Sequence, residues 1–410
     1  MITSVSSSQQ VYSLDSKRSK QVSFGRKLKQ DEQAGYQKAV QNALKELDKQ
    51  NLSIIAHGPS FPSLSSEDTG IGSPYTSGGV KFMEFLNKLG FNSVQLGPSG
   101  KTKSSDASPY TSTVFSDNTL FIDLNALTKP EWAGILSEET FNTIVANNEA
   151  KDTGRVSYEY AYDKQDAALQ EAWSNFKAKV DKLPELSGSD ASKISELQEK
   201  FDSFKESNKL WLESDARYEA LAKANGNDYW GVWNDLDKNL TKMLSSKDKT
   251  EQEKAQARLK ELETDPKLSD EMEYYKFCQF VMSQQKADIV KKVPVKTIAD
   301  IQVTYSDRDW WALQNVFMND QRLGVPPDYF SKDGQAWGFP AIDPDKLFVK
   351  DAAGNIKKEN GIPVLGEGGQ LIKTRFDKMF RDNPGGVRID HIVGLIDPWV
   401  YPATAKTAKV

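Results

Sequence analysis

Four short apolar runs, set apart by long helical stretches, constrain this chain more than any other feature. Leu52-Ser53-Ile54-Ile55-Ala56 and Phe91-Asn92-Ser93-Val94-Gln95-Leu96 both read as strands. Between them, Val80, Phe82, Met83, Phe85, Leu86 and Leu89 recur at helical spacing, and Gly90 supplies the stop. A helix that ends on glycine and is followed at once by a strand is half of a βαβ unit, the connection that parallel strands require. Two more strand-like runs follow much later, at 296–303 and 386–392. In the interval Leu169, Trp173, Phe176, Val180 and Leu183 lie at i, i+4, i+7, i+11 and i+14, and Ile194, Leu197, Phe201 and Phe204 continue the apolar stripe in a second helix.

This alternation predicts an α/β fold, the N-terminal portion of a (β/α)8 barrel with a large helical insertion. Residues 33–154 are assigned to the first barrel segments, opening with a helix over 33–49. Residues 155–290 are assigned to the insertion, and 291–410 to further barrel segments. Residues 1–32 begin Ser-rich with scattered Lys and Arg, have no apolar stretch, and are read as a flexible arm. Cys278, the single cysteine, lies in the aromatic run Tyr274-Tyr275-Lys276-Phe277-Cys278, so no intrachain disulfide or thiolate metal cluster can form. A reducing, cytoplasmic setting is expected. The 53 basic residues nearly balance the 58 acidic ones, which gives no basic face for nucleic acid. No run of about 18 apolar residues suggests a membrane span.

Val387-Arg388-Ile389-Asp390-His391 carries the strongest chemical signal. Residues two apart on a strand point to the same face, so Arg388 lies beside Asp390. A guanidinium next to a carboxylate favours its ionised form, the form that attacks an anomeric carbon. An arbitrary Arg-x-Asp is a structural ion pair. Here the pair is flanked by apolar residues, is opened by Gly385-Gly386, and continues as His391-Ile392-Val393-Gly394-Leu395.

The segment resembles the Arg-Ile-Asp-His strand of amylomaltases, 4-α-glucanotransferases of the α-amylase-like group. Gly324-Val325-Pro326-Pro327-Asp328-Tyr329-Phe330-Ser331 and Gly334-Gln335-Ala336-Trp337-Gly338 are similar to that family's substrate loop. Gly70-Ile71-Gly72, Leu96-Gly97-Pro98, Ser108-Pro109-Tyr110-Thr111-Ser112 and Asp309-Trp310-Trp311-Ala312 add to the resemblance, which runs from about residue 50 onward. It implies transfer of α-1,4-glucan segments between maltooligosaccharides by retaining double displacement, with no metal or organic cofactor. Asp390 takes the place of the nucleophile, with Arg388 beside it. Tyr110, Asp309, Asp328, Gln335, Trp337 and His391 are the expected sugar contacts.

Departures are local, apart from one. Gln95 stands where the family has Pro, the loop after Tyr110 is a residue shorter, and Trp310 replaces a smaller apolar residue. The larger departure concerns the second carboxyl group that retaining chemistry requires. The family carries its acid/base Glu on a later strand, whereas Glu367, in Gly366-Glu367-Gly368-Gly369, reads as part of a flexible loop and Asp397 as a turn residue. The expectation is therefore a fragment of the transferase without its acid/base Glu and inactive alone. The alternative is a non-catalytic glycan-binding remnant of the family.

Overall fold

The computed structural model describes residues 29–185 and 187–409. Most of the flexible arm expected over 1–32 lies outside the described residues, but its last part is helical. Helix α1 runs Gln30–Glu46, and the Glu32 carboxylate accepts the Lys29 backbone N–H at 2.9 Å to close its first turn. Strand β1 is Ser53–Ile55. Helix α2, Ser77–Lys88, is capped by the Thr76 hydroxyl and buries Met83 and Leu86. Strand β2 is Ser93–Gln95.

Five long helices follow: α3 Tyr158–Asp181, α4 Gly188–Asn225, α5 Asp235–Leu244, α6 Lys249–Thr264 and α7 Pro266–Lys292. Aromatic side chains hold the first, second and last together. Phe277 of α7 lies 5.3 Å, centroid to centroid, from both Trp173 and Phe176 of α3, and Phe201 of α4 packs edge-on to it. Such ring pairs add about 0.5–1.5 kcal/mol each to the burial term. Trp132, Trp173, Trp230, Trp233 and Trp311 are all core residues. Bulk filling thus accounts for most of the tryptophan content.

The chain returns to the sheet at β3, Lys296–Ile301, followed by helix α8, Asp307–Ala312. Residues 324–338, read from sequence as a loop, instead belong to an antiparallel hairpin of β4, Phe317–Val325, and β5, Gln335–Ile342. The two prolines keep the tip extended, but pairing of Gly324 with Ala336 and Val325 with Gln335 makes its flanks strands. Glu367 is likewise no loop residue. It opens helix α9, Glu367–Asp382, where a Cβ on Gly368 would collide with the Ile342 side chain and one on Gly369 with the Leu347 carbonyl. Strand β6, Val387–Ile389, then joins the sheet, and β7, Val400–Pro402, pairs with β4.

The main sheet is parallel, in the order β1-β2-β3-β6, with Ile55 beside Gln95, Gln95 beside Ile298, and Asp300 beside Arg388. As expected, the fourth run pairs with the third. Sequential parallel order with helical crossovers is what the opening strands of a (β/α)8 barrel require. Register fixes the faces. Ile54 and Val94 pack with Phe61, Met83, Leu86 and Val295 beneath the sheet. Ile55, Gln95, Ile298, Asp300 and Arg388 share the opposite face, where Ile55 keeps 62 % of its exposure.

Candidate functional site

The charged group forms at the C-terminal ends of β3 and β6. Arg388 donates from Nη1 to both Asp300 oxygens at 2.9 Å, and from Nη2 to Asp390 Oδ1 at 2.6 Å. One guanidinium therefore spans two carboxylates on adjacent strands, the fork geometry that lysine cannot reproduce. Asp300 is buried, whereas Asp390 keeps a third of its side chain open. Burial pushes the Asp300 carboxyl upward against the opposing pull of Arg388. The hydrogen bond to Asp300, with the charges of both carboxylates, raises Arg388 further above its ordinary range. Sequence reasoning missed Asp300. Its signal was an acidic residue closing a strand on the same parity as Ile298.

Tyr110 reaches this group from a loop that is tied down behind it. Thr304 donates to the Tyr110 carbonyl at 2.5 Å, and Gln302 to the Ser112 carbonyl at 3.1 Å. Burial, then the charges of Asp300 and Asp390, raise the Tyr110 phenol, so it stays a protonated donor at neutral pH. Gln95, at the end of β2, points its amide at Asp300 from 3.5 Å.

A second set lies alongside. The Trp337 and His391 rings are 5.6 Å apart and nearly perpendicular. His391 follows Asp390 with φ +46°, the left-handed region that a side chain enters at a cost and that recurs at functional sites. Trp337 is half-buried and donates to the exposed Gln335 at 3.2 Å. At the hairpin tip Asp328 accepts the N–H groups of Phe330 and Ser331, and Tyr329 and Phe330 project at 91 % and 93 % exposure.

Asp309 does not join these residues. It is buried at the start of α8, where its carboxylate accepts the Ser306 N–H at 2.8 Å, the Ser306 hydroxyl at 2.6 Å and the Val114 N–H at 3.3 Å. Its structural work is to cap the helix and hold the segment after Tyr110. A cavity of about 730 Å³ is also elsewhere. It lies between α3, α4 and residues 101–113, lined by Lys101, Tyr162 and Glu219, while Asp390 stands on the open face of the sheet. Among the described residues no helix is long and apolar enough to cross a membrane.

Similarity to known proteins points one way. Residues 60–352 match the family model of 4-alpha-glucanotransferase, glycoside hydrolase family 77. A 4-alpha-glucanotransferase from Clostridium butyricum is 29 % identical over 276 residues, 64 % of this chain and 48 % of that protein. One from Thermus thermophilus is 28 % identical over 340 residues, 80 % of this chain and 56 % of that protein. The chain thus spans about half the length of these relatives. Among solved structures, amylomaltase from Streptococcus agalactiae in complex with acarbose superposes with a TM-score of 0.65 at 22 % identity, covering 88 % of this chain and 63 % of that one. At that identity the superposition speaks for the fold alone, while the family match extends over more than half of the sequence: the chain belongs to the 4-alpha-glucanotransferase family.

Proposed function

We propose that this chain supplies the nucleophile side of a retaining α-1,4-glucan transfer site. The observation that carries this reading is the Arg388 bridge between Asp300 and Asp390 at the ends of adjacent parallel strands. Asp300 engages Arg388 with both oxygens and fixes the plane of the guanidinium. Arg388 in turn holds one Asp390 oxygen and leaves the other for attack. In the proposed step that free oxygen bonds to the anomeric carbon of a bound α-glucan as the glycosidic C–O bond breaks. The departing oxygen takes a proton from an acid; the 4-hydroxyl of an acceptor sugar later attacks the same carbon, its proton passing to the conjugate base of that acid as the ester bond breaks and frees the Asp390 carboxylate. Tyr110 donates a hydrogen bond beside the reacting ring, and Trp337 with the hairpin tip offers apolar faces to neighbouring glucose units. The proton donor is not identified among the described residues, because Asp300 is committed to Arg388.

An α-maltotriosyl fluoride donor separates the nucleophile from the acid, since fluoride leaves without being protonated. Intact-mass measurement should show one maltotriosyl group added to the wild-type chain and none to Asp390→Asn, whose amide lacks the nucleophilic oxygen. Equal labelling of the variant would move the nucleophile elsewhere. Absence of labelling in the wild type, with maltotriose still bound, would favour the second reading, a glycan-binding protein without chemistry. What favours that reading is the commitment of Asp300, which leaves Asp390 as the only carboxylate of the pair free to react.

Trp337 provides a test on the sugar side. Trp337→Ala should weaken maltotriose binding by about 1–3 kcal/mol, the value of withdrawing an apolar face from a ligand. Its effect on the unfolding midpoint should be small, because the ring is only half-buried. A large loss of stability with unchanged affinity, read by urea titration and calorimetry on the same sample, would make Trp337 a packing residue instead.

A further inference from the structure

We infer that His57 is a sugar-contacting residue of this same cleft, its imidazole offering a donor and an acceptor to the hydroxyls of a bound glucose unit. The inference rests on the glucan-site reading above and extends it to the end of β1, which none of the motifs discussed so far touches.

Three observations place His57 there. It lies two residues beyond β1, on the side of the parallel sheet where β2, β3 and β6 present Gln95, Asp300 and Arg388. Its ring meets that of Tyr110 edge-on at 6.2 Å, and its charged form would lie within the field of Asp300. Finally, Nδ1 sits directly against Gly97, where any Cβ would come within 2.0 Å of it. The backbone at Gly97 therefore admits the imidazole only because there is no side chain. This close approach fixes where the ring stands in the cleft.

Yet the imidazole has nothing to hold. Among the described residues neither ring nitrogen has a hydrogen-bond partner, and neither is among the buried unpaired atoms, so both remain reachable from solvent. A core histidine would have at least one nitrogen tied to a carbonyl or carboxylate. A half-buried ring with both nitrogens unengaged, beside a nucleophile candidate and a phenol, suits a neutral polyol, since neutral imidazole donates from one nitrogen and accepts at the other.

The composition makes the test unusually direct, because the chain contains two histidines, His57 and His391, and both lie by this cleft. Imidazole carbon-bound protons of the full 410-residue chain therefore give two sets of NMR signals, assigned with His57→Gln and His391→Gln. On titration with maltotriose both sets should shift along one binding curve. His57→Phe, which keeps a ring against Tyr110 but removes both nitrogens, should weaken maltotriose binding about three- to tenfold, the worth of about one hydrogen bond. His57→Gln should recover part of that loss. If maltotriose moves the His391 signals and leaves His57 still, or if His57→Phe binds as the wild type does, the inference is overturned and the glucan site stands. If neither histidine responds, both fall together.

Discussion

Glu219→Leu should lower folding stability by about 3 kcal/mol, far more than loss of any surface ion pair, because it leaves two cations without their counter-charge. Glu219 of α4 accepts from Lys101 at 2.8 Å and from Arg308. The Arg308 guanidinium is buried between the Tyr218 and Tyr275 rings, 4.9 and 5.0 Å from their centroids. Burial opposes ionisation of Glu219, but the charges and hydrogen bonds of Lys101 and Arg308 win and hold it far below the usual carboxylate range. Glu219 keeps 21 % of its side-chain exposure, which sets the expectation at the lower end of the range for broken buried pairs. The exposed pair Lys193–Glu196 is the control, and its removal should cost less than about 1 kcal/mol. Urea unfolding of the two variants decides it. Equal, small losses would mean that water already compensates Arg308. Because Lys101 opens the loop that carries Tyr110, loss of Glu219 should also loosen the position of Tyr110 beside Arg388.

One helical turn earlier, Asp215 should behave with the opposite sign. It is buried, hydrogen-bonded to Ser116, and pushed up from 3.8 to about 7, first by burial and then by the charges of Asp309 and Glu219 against the pull of Arg308. A carboxyl whose folded pKa lies above its unfolded one binds its proton more tightly in the folded state. Its ionisation therefore costs nothing below pH 3.8 and becomes a growing penalty as pH rises toward about 7. Asp215→Asn retains an oxygen for the Ser116 hydroxyl and cannot ionise. The variant should gain about 3–4 kcal/mol relative to the wild type between roughly pH 4 and pH 8, at about 1.36 kcal/mol per unit of pKa difference. Unfolding free energies of both proteins across that interval test it, and a constant difference would show that Asp215 ionises as freely folded as unfolded.

The strand-helix alternation was legible because it is local: apolar spacing, a stop glycine and short β-type runs place β1, α2, β2, β3 and β6 within a few residues of where they lie. Arg388 and Asp390 were legible for the same reason, being two apart on one strand. Asp300 was not, because its partner is 88 residues away and only the parallel register brings them side by side. The hairpin at 317–342 was hidden by a similar long-range pairing, and by two prolines that suggest a loop wherever they occur. Gly368 and Gly369 misled in another way. A glycine run says that side chains are excluded, and here the excluding body is the packed 342–347 segment rather than solvent. Asp309 had a local signature that the functional reading overrode. Ser306-Asp307-Arg308-Asp309 is a capping sequence, and capping is what the side chain does.

Helices pack against the sheet face opposite Arg388, and among the described residues the outer strands β1 and β6 each pair along one edge only. An edge of this kind, wherever no other segment pairs with it, is a reactive end in the polymer chemist's sense. Each outer strand presents amide and carbonyl groups at the spacing another strand needs, about 4.8 Å away. Head-to-tail joining of two such edges gives a ring where the rotation between copies closes and a filament where it does not. Ile55, Ile392, Val393 and Ile396 add exposed apolar surface beside the strand ends. A net charge of -5 over 410 residues repels weakly, and physiological salt screens it within about 8 Å. Protein concentration and ionic strength would therefore act together on any edge left unpaired.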